Sequence, residues 1–179
     1  MKECIEAIEN RRSIRKFKSK QVSKSDINIL LHSAQMAPSA GNLQAREFIV
    51  VSSEEGKEKL ARAALKQEFL REAPVTIVVC ANLKRSEMRY RARSALYAIQ
   101  DATASVMNIL LAAYSLGLGT CWMGAFDEKE VSSLLGLPEH VRPIALVVVG
   151  YPDEAPTAPP RLDEKIEHWE KWTSQSIDD

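Results

Sequence analysis

The strongest constraint on the fold lies between Arg91 and Leu116. Leu96, Ile99, Val106, Ile109, Leu110 and Ala113 recur there at helical spacing, which predicts one long helix. Its apolar stripe is wide enough to meet several neighbours, so the helix must sit at the centre of the molecule. Ala102, Ala104, Ala112 and Ala113 let those neighbours approach closely. The chain of 179 residues can bury such an element. A protein of this size makes one domain and removes about 70% of its unfolded surface from water, so residues 1–179 are read as a single domain.

Short elements surround this helix. The runs Glu47–Val51, Val75–Cys80 and Ile144–Val149 are β-branched and apolar, hence strands, with a further short strand near Thr120–Met123. Residues 2–12 read as a short helix. Ser23 caps another, with Asp26 at the capping-box position and Ile27, Leu30, Leu31 and Ala34 as its stripe; Pro38 stops it. Ser53 opens a helix reaching towards Leu65. Asp127 and Glu130 frame one ending at Gly136, and Gly117 is a C-terminal cap for the long helix. The connection Lys84–Tyr97 is either a plain link or a lid.

Beyond Gly150 the pattern changes. Pro152, Pro156, Pro159 and Pro160 allow neither helix nor sheet interior, so the segment runs extended along a surface. It leads to Arg161 and an amphipathic stretch with Trp169 and Trp172. Those two aromatics need a docking place, on the same domain or on a second subunit.

Charge and composition remove several function classes. The 24 basic residues equal the 24 acidic ones, so no general basic field exists to hold nucleic acid or an anionic membrane. Aromatics at 6% are too sparse for a base-stacking platform. Cys4, Cys80 and Cys121 form neither a disulfide framework nor a metal-ligand spacing, which points to a reducing cytoplasm. No apolar run approaches the roughly 20 residues of a membrane span, and residues 1–20 are too charged for a signal peptide. An anionic ligand needs a local concentration of positive charge instead.

Three segments are candidates for chemistry. In Arg11-Arg12-Ser13-Ile14-Arg15, Ile14 and Phe17 face inward while Arg11, Ser13 and Arg15 share the other side of an extended segment. Arginine forks match phosphate oxygens and serine adds a hydrogen bond, although a solvated charged turn reads the same way. Pro38-Ser39-Ala40-Gly41-Asn42-Leu43-Gln44 is a loop of small and amide-bearing residues, suited to a heterocycle edge of mixed polarity or to a bare turn. Gly117 to Gly124 holds three glycines in eight residues. It is no dinucleotide fingerprint, because Trp122 stands where the third glycine belongs and the segment follows a helix. What remains is a backbone approached closely by something flat or by another chain.

Together these segments resemble the nitroreductase family of FMN-dependent oxidoreductases. The resemblance rests on Arg11 to Phe17, Pro38 to Gln44, Gly117 to Phe126, and Arg161, in that order over nearly the whole chain. It implies an α+β fold: a central mixed sheet flanked by helices, a long central helix, and an intertwined homodimer with FMN in pockets built from both subunits. Arg11, Ser13 and Arg15 would serve the phosphate and the pyrimidine edge, with Arg12 and Arg161 adding charge. Pro38, Ser39, Ala40, Asn42 and Gln44 would bind the cofactor from the other subunit. Met123 and Gly124 would present backbone to the flavin, and the arm 151–179 would wrap the partner.

The resemblance further implies ping-pong hydride transfer from NADH or NADPH through FMN to a small electron-poor acceptor: a nitroaromatic, quinone, enone or flavin. No side chain is then needed as a catalytic acid or base. Lys84, Arg85 and Arg46 are candidates for recognising the extra phosphate of NADPH. In one departure, Ala45-Arg46 stands where members commonly have Pro-Trp. The rival readings are a non-catalytic flavin-binding protein and a hydrolase using Cys121 as nucleophile, with His140 or His168 as base.

Overall fold

The computed structural model describes residues 3–161, 166 and 168–172. The long helix is α6 (Ser94–Ser115). Before it come α1 (Cys4–Asn10), α2 (Lys24–Gln35), a 3-10 turn at Ala40–Asn42, β1 (Arg46–Val51), α3 (Glu54–Ala63), α4 (Phe69–Glu72), β2 (Val75–Asn82) and α5 (Leu83–Glu87). After it come β3 (Gly119–Met123), α7 (Glu128–Leu135) and β4 (Val141–Gly150). The short helices α4 and α5 lie in stretches too brief to show a helical period, which is why the sequence pattern does not reveal them.

The strands pair in the order β1-β2-β4-β3. All three ladders are antiparallel, and among the described residues the parallel component of the expected mixed sheet is the isolated bridge Ser13–Thr120. The sheet is the middle of three layers. Val75, Ile77, Val79, Ala145, Val147 and Val149 face α6 and α2, while Val78, Cys80, Leu146 and Val148 face α3, α4 and α7. β2 is buried along its whole length, so its continuous apolar run follows from having helices on both faces.

Local signals place the helix ends. Ser23 Oγ accepts from the Asp26 amide at 3.0 Å and donates to its carboxylate at 2.8 Å. Asp127 accepts from the Glu130 amide at 2.9 Å, and the helix it opens closes at Gly136 in left-handed conformation. At the end of α6 the Gly117 backbone turns left-handed, with φ 74°, and Leu118 donates back to the Ala113 carbonyl at 2.8 Å. β3 therefore starts directly from the end of α6.

By length and composition alone α6 is long and apolar enough to cross a membrane, contrary to the sequence-based expectation that nothing approaches one. Its place here is the protein core. Ala98, Ala102, Val106, Ile109 and Ala113 are fully buried against the sheet and α2, each large side chain contributing about 1.5–3 kcal/mol by leaving water.

The arginine segment is strapped across the sheet edge. Ile14 donates its amide to the Thr120 carbonyl at 2.8 Å, and Phe17 bridges Pro152. Lys18 donates to Tyr151 O and Asp153 to Lys16 O, both at 2.9 Å, so the start of the C-terminal arm is fastened to this segment. The passage depends on a missing side chain: a Cβ on Gly119 would lie 2.8 Å from Ile14 Cγ1. Gly119→Ala is expected to cost about 1–3 kcal/mol by overpacking. Urea denaturation should show a smaller cost on an Ile14→Ala background; equal cost in both backgrounds would mean that Ile14 is not the obstacle.

Candidate active site

Two adjoining clefts, of about 400 and 350 Å³, open where the arginine segment crosses α6 and β3. They share Arg11, Arg12, Leu110 and Thr120. The smaller adds Ser13, Met107, Trp122 and Gly124; the larger runs along Tyr114, Gly117 and the arm residues Pro152 to Pro156. Four of the residues singled out in the sequence, Arg11, Arg12, Ser13 and Gly124, thus meet on one surface. Met123 is buried beside them, leaving its backbone as the part near the cleft.

Each glycine of the 117–124 segment has its own reason. Gly117 turns the chain and Gly119 admits Ile14, so the close approach expected there comes from this chain itself. A Cβ on Gly124 would meet nothing within 4 Å, so its backbone borders open space. Arg12 donates to the carbonyls of Glu9 and Arg11, both at 2.8 Å, and the Ser13 hydroxyl reaches the Cys121 thiol. That space, the Arg11 guanidinium and the added charge of Arg12 fit a flat ring system carrying a phosphate.

Arg15 points elsewhere: its guanidinium carbon lies 6.0 Å from the centre of the Phe69 ring. Its amide and that of Lys16 both donate to the Glu154 carboxylate, the second at 3.0 Å. Arg161 is exposed beyond the lining of these clefts. The arm's residues 162–165, 167 and 173–179 lie outside the described residues, while Trp169 and Trp172 are 85% and 82% exposed.

The loop from Pro38 to Gln44 is held at the other end of α6. Asp101 accepts from the Ala40 amide at 2.9 Å and the Ala45 amide at 3.3 Å. Asp101 precedes Leu110 by nine residues, about 13 Å along a helix. Pro38, Asn42 and Gln44 are exposed, Ser39 and Ala40 half-buried, and none lines the clefts beside Arg11. Ser39 Oγ accepts from the Gln44 amide at 3.1 Å, and Gln44 Nε2 lies 3.3 Å from Asn42 Oδ1.

Arg46 and Asp101 are functional candidates that the sequence pattern did not bring out in this role. Arg46 is 5% exposed and donates to the carbonyls of Gln35, Ala37 and Pro38 at 2.6, 2.8 and 3.2 Å. Burial lowers its pKa, with Asp101 opposing the shift. Arg85 pairs with Glu47 at 2.6 Å and donates to the Gln44 carbonyl at 2.7 Å. Arg46 is thus spent on the chain's own carbonyls, while the Arg85 side chain stays 40% exposed in its pair with Glu47. The signal that could have marked Asp101 is a carboxylate set inside the apolar pattern of the long helix. The departure at 45–46 also gains a physical meaning, since Ala45, unlike proline, has an N–H to donate.

The connection Lys84–Tyr97 contains α5 and packs on this loop. Tyr90 and Tyr97 meet edge to face at 4.8 Å, and Tyr90 Oη and Arg89 crowd Gly41. Cys121, the nucleophile of the hydrolase reading, is 3% exposed. Burial pushes its thiol up, against the pull of Arg15 and a hydrogen bond with Ser13.

The sequence model described as "Nitroreductase family" matches residues 8–68 and 61–151. The chain belongs to the nitroreductase family. It is an oxidoreductase of that type. A protein of Archaeoglobus fulgidus, named provisionally as an NADH dehydrogenase/NAD(P)H nitroreductase, is 38% identical over 179 residues, covering 96% of this chain and all of its own. An FMN reductase [NAD(P)H] of Bacillus subtilis is 31% identical over 190 residues, covering 98% of this chain and 76% of its own. The solved structure of an FMN-dependent nitroreductase from Clostridium difficile superposes with a TM-score of 0.82 at 30% identity, covering 94% of this chain and 99% of that one. The antiparallel sheet and long core helix are thus the family's fold.

Thiol reactivity tests the electrostatic description. Burial with the nearby Glu47 pushes Cys80 up to about 12, while Cys4 is exposed. At pH 8 a disulfide reagent is expected to titrate Cys4 promptly and the other two thiols only after denaturation. Cys121 reacting as fast as Cys4 would reopen the nucleophile reading.

Proposed function

We propose that this family member is an FMN-dependent oxidoreductase that works as a homodimer with two shared active sites, each chain contributing as one domain. The observation that carries this reading is the division of the candidate residues along α6: Arg11, Arg12, Ser13 and Gly124 border one cleft, while Pro38 to Gln44 is tied to Asp101 near the other end. A second copy supplying the loop completes a site that one chain leaves in halves. The exposed Trp169 and Trp172 support an arm, 151–179, that docks on the partner. The names of relatives as FMN reductase and NAD(P)H nitroreductase support the cofactor and the hydride donor. Cys4, Cys80 and Cys121 are all free, in keeping with a reducing cytoplasm.

In this reading the Arg11 guanidinium holds the phosphate, with Arg12 at the cleft and Arg161 on the arm adding positive charge. Ser13 donates from its hydroxyl. The backbone at Met123 and Gly124 lies against the ring system, and the partner's copy of the loop Pro38, Ser39, Ala40, Asn42 and Gln44 closes the other side. When bound, FMN would supply ping-pong two-electron hydride chemistry between NADH or NADPH and an electron-poor acceptor such as a nitroaromatic, quinone, enone or flavin. Arg15 lies over Phe69 in the single chain and would have to turn into the cleft to stabilise negative charge that develops near the ring. Trp122, 38% exposed on the cleft wall, keeps one side apolar. No acid–base pair is required of the protein.

The purified protein is expected to be yellow, or to become so with FMN, and to bleach anaerobically with NADH or NADPH. Arg11→Ala should weaken FMN binding by about tenfold or more, as for loss of a charge-assisted hydrogen bond. Arg15→Ala should lower both FMN affinity and the rate of bleaching. A protein that neither carries nor takes up FMN, or an Arg15→Ala variant with unchanged flavin retention and reduction, would overturn the corresponding assignment.

A further inference from the structure

The loop 38–44 is closed within itself by a few hydrogen bonds: the amides of Asn42 to the Ser39 carbonyl at 3.0 Å, Leu43 to the Ala40 carbonyl at 3.1 Å and Gln44 to Ser39 Oγ at 3.1 Å. It has little apolar packing to fix it against the body of the protein. Its sequence, Pro-Ser-Ala-Gly-Asn-Leu-Gln, has one large apolar side chain, Leu43, and that is only half-buried. Gly41, Asn42 and Gln44 all sit in left-handed backbone, with φ of 56°, 56° and 50°. For Asn42 and Gln44 that conformation is uphill and persists only where surrounding structure imposes it.

Arg85 donates to the Gln44 carbonyl and Tyr90 and Arg89 lie against Gly41 from the exposed side, and two buried charges tie the loop to the interior. The Asp101 carboxylate, on the face of α6, receives the amides of Ala40 and Ala45, one near each end of the loop. The Arg46 guanidinium receives the loop's approach from the opposite polarity, donating to the carbonyls of Gln35, Ala37 and Pro38. Asp101 and Arg46 are 4% and 5% exposed, so both have left water, and their partners are five backbone groups of residues 35–45. Buried charges of this kind are weak contributors to stability compared with apolar packing. What they provide is a single arrangement, because a carboxylate accepts only and a guanidinium donates only.

We propose that Arg46 and Asp101 are positioning residues of the active site, fixing the 38–44 loop in the conformation that receives FMN. The inference rests on the reading of that loop as half of a shared FMN site. Arg46 acts from the first residue of β1 and Asp101 from the second turn of α6, so the loop's shape is referred to the two most rigid neighbours it has. The flavin-facing amides and side chains are then preset before the ligand arrives, which saves the ordering cost on binding.

The experiment compares full-length Arg46→Lys, Asp101→Asn, Arg11→Ala and Leu60→Ala. Lysine keeps the charge of Arg46 but cannot span three carbonyls, and asparagine keeps the shape of Asp101 but can accept at one atom only. Leu60 is fully buried on the other side of the sheet and serves as a control for lost stability. The expected result for Arg46→Lys and Asp101→Asn is cooperative unfolding, FMN affinity lowered by about tenfold, and faster hydrogen exchange over 39–45 in the flavin-free protein with α6 still protected. Leu60→Ala should lose stability and keep its FMN affinity.

FMN affinity unchanged in both Arg46→Lys and Asp101→Asn, affinity lost equally in Leu60→Ala at matched stability, or failure of both variants to fold would each overturn the inference. Weakened binding in Arg11→Ala alone would sink this inference and leave the FMN reading standing. Normal binding in Arg11→Ala as well would sink the FMN reading itself.

Discussion

The seating of α6 on the sheet is the contact on which the rest of this molecule depends. One side of the helix is closed by β2, β3, β4 and α2, where Ala98, Ala102, Val106, Ile109 and Ala113 lose all access to water. Everything that carries chemistry is attached to the same rod. Asp101 ties down the Pro38–Gln44 loop, Met107 and Leu110 floor the cleft beside Arg11, and Gly117 turns the chain straight into β3. A helix is stiff along its axis, so these attachments are kept at constant separation.

That separation is the reason the protein needs a second copy in the proposed function. The loop's anchor Asp101 lies six residues from Met107 and nine from Leu110 on α6, about 9 and 13 Å, and the loop lines neither cleft. The C-terminal arm belongs to the same logic. It begins tied to Lys16 and Lys18 beside the arginine segment and carries two exposed tryptophans, Trp169 and Trp172. The charges divide likewise: Arg11 and Arg12 line a cleft, although Arg12 also donates to the carbonyls of Glu9 and Arg11, whereas Arg46 is spent on three backbone carbonyls and Arg85 pairs with Glu47. The zero net charge of the sequence hides both uses.

Much of the fold was legible because local physics wrote it. Ser23, Ser53 and Asp127 cap the helices that their sequence positions predict, and Val75–Cys80 is a central strand because only burial on both faces tolerates such a run. The arginine motif, the loop and the glycine segment were each readable as chemistry-bearing. Their division of labour was not. Nothing local distinguishes Arg46, consumed by three carbonyls, from Arg11, which borders open space, since both are arginines at the edge of an apolar element. Asp101 was passed over because a single carboxylate does not disturb a helical period.

By itself, then, the amino-acid order determined the elements, their caps, the central place of the long helix and the likeness to a flavin-using family, since all of these depend on neighbours within a few turns of chain. Tertiary structure alone decided that the sheet is antiparallel, that Gly119 admits Ile14, that the Cys121 thiol is shut away, and which arginines border a cleft. Those outcomes turn on contacts between residues distant in sequence, Ile14 with Gly119, Arg15 with Glu154, Ala40 with Asp101, and burial sets the energetic consequence of each.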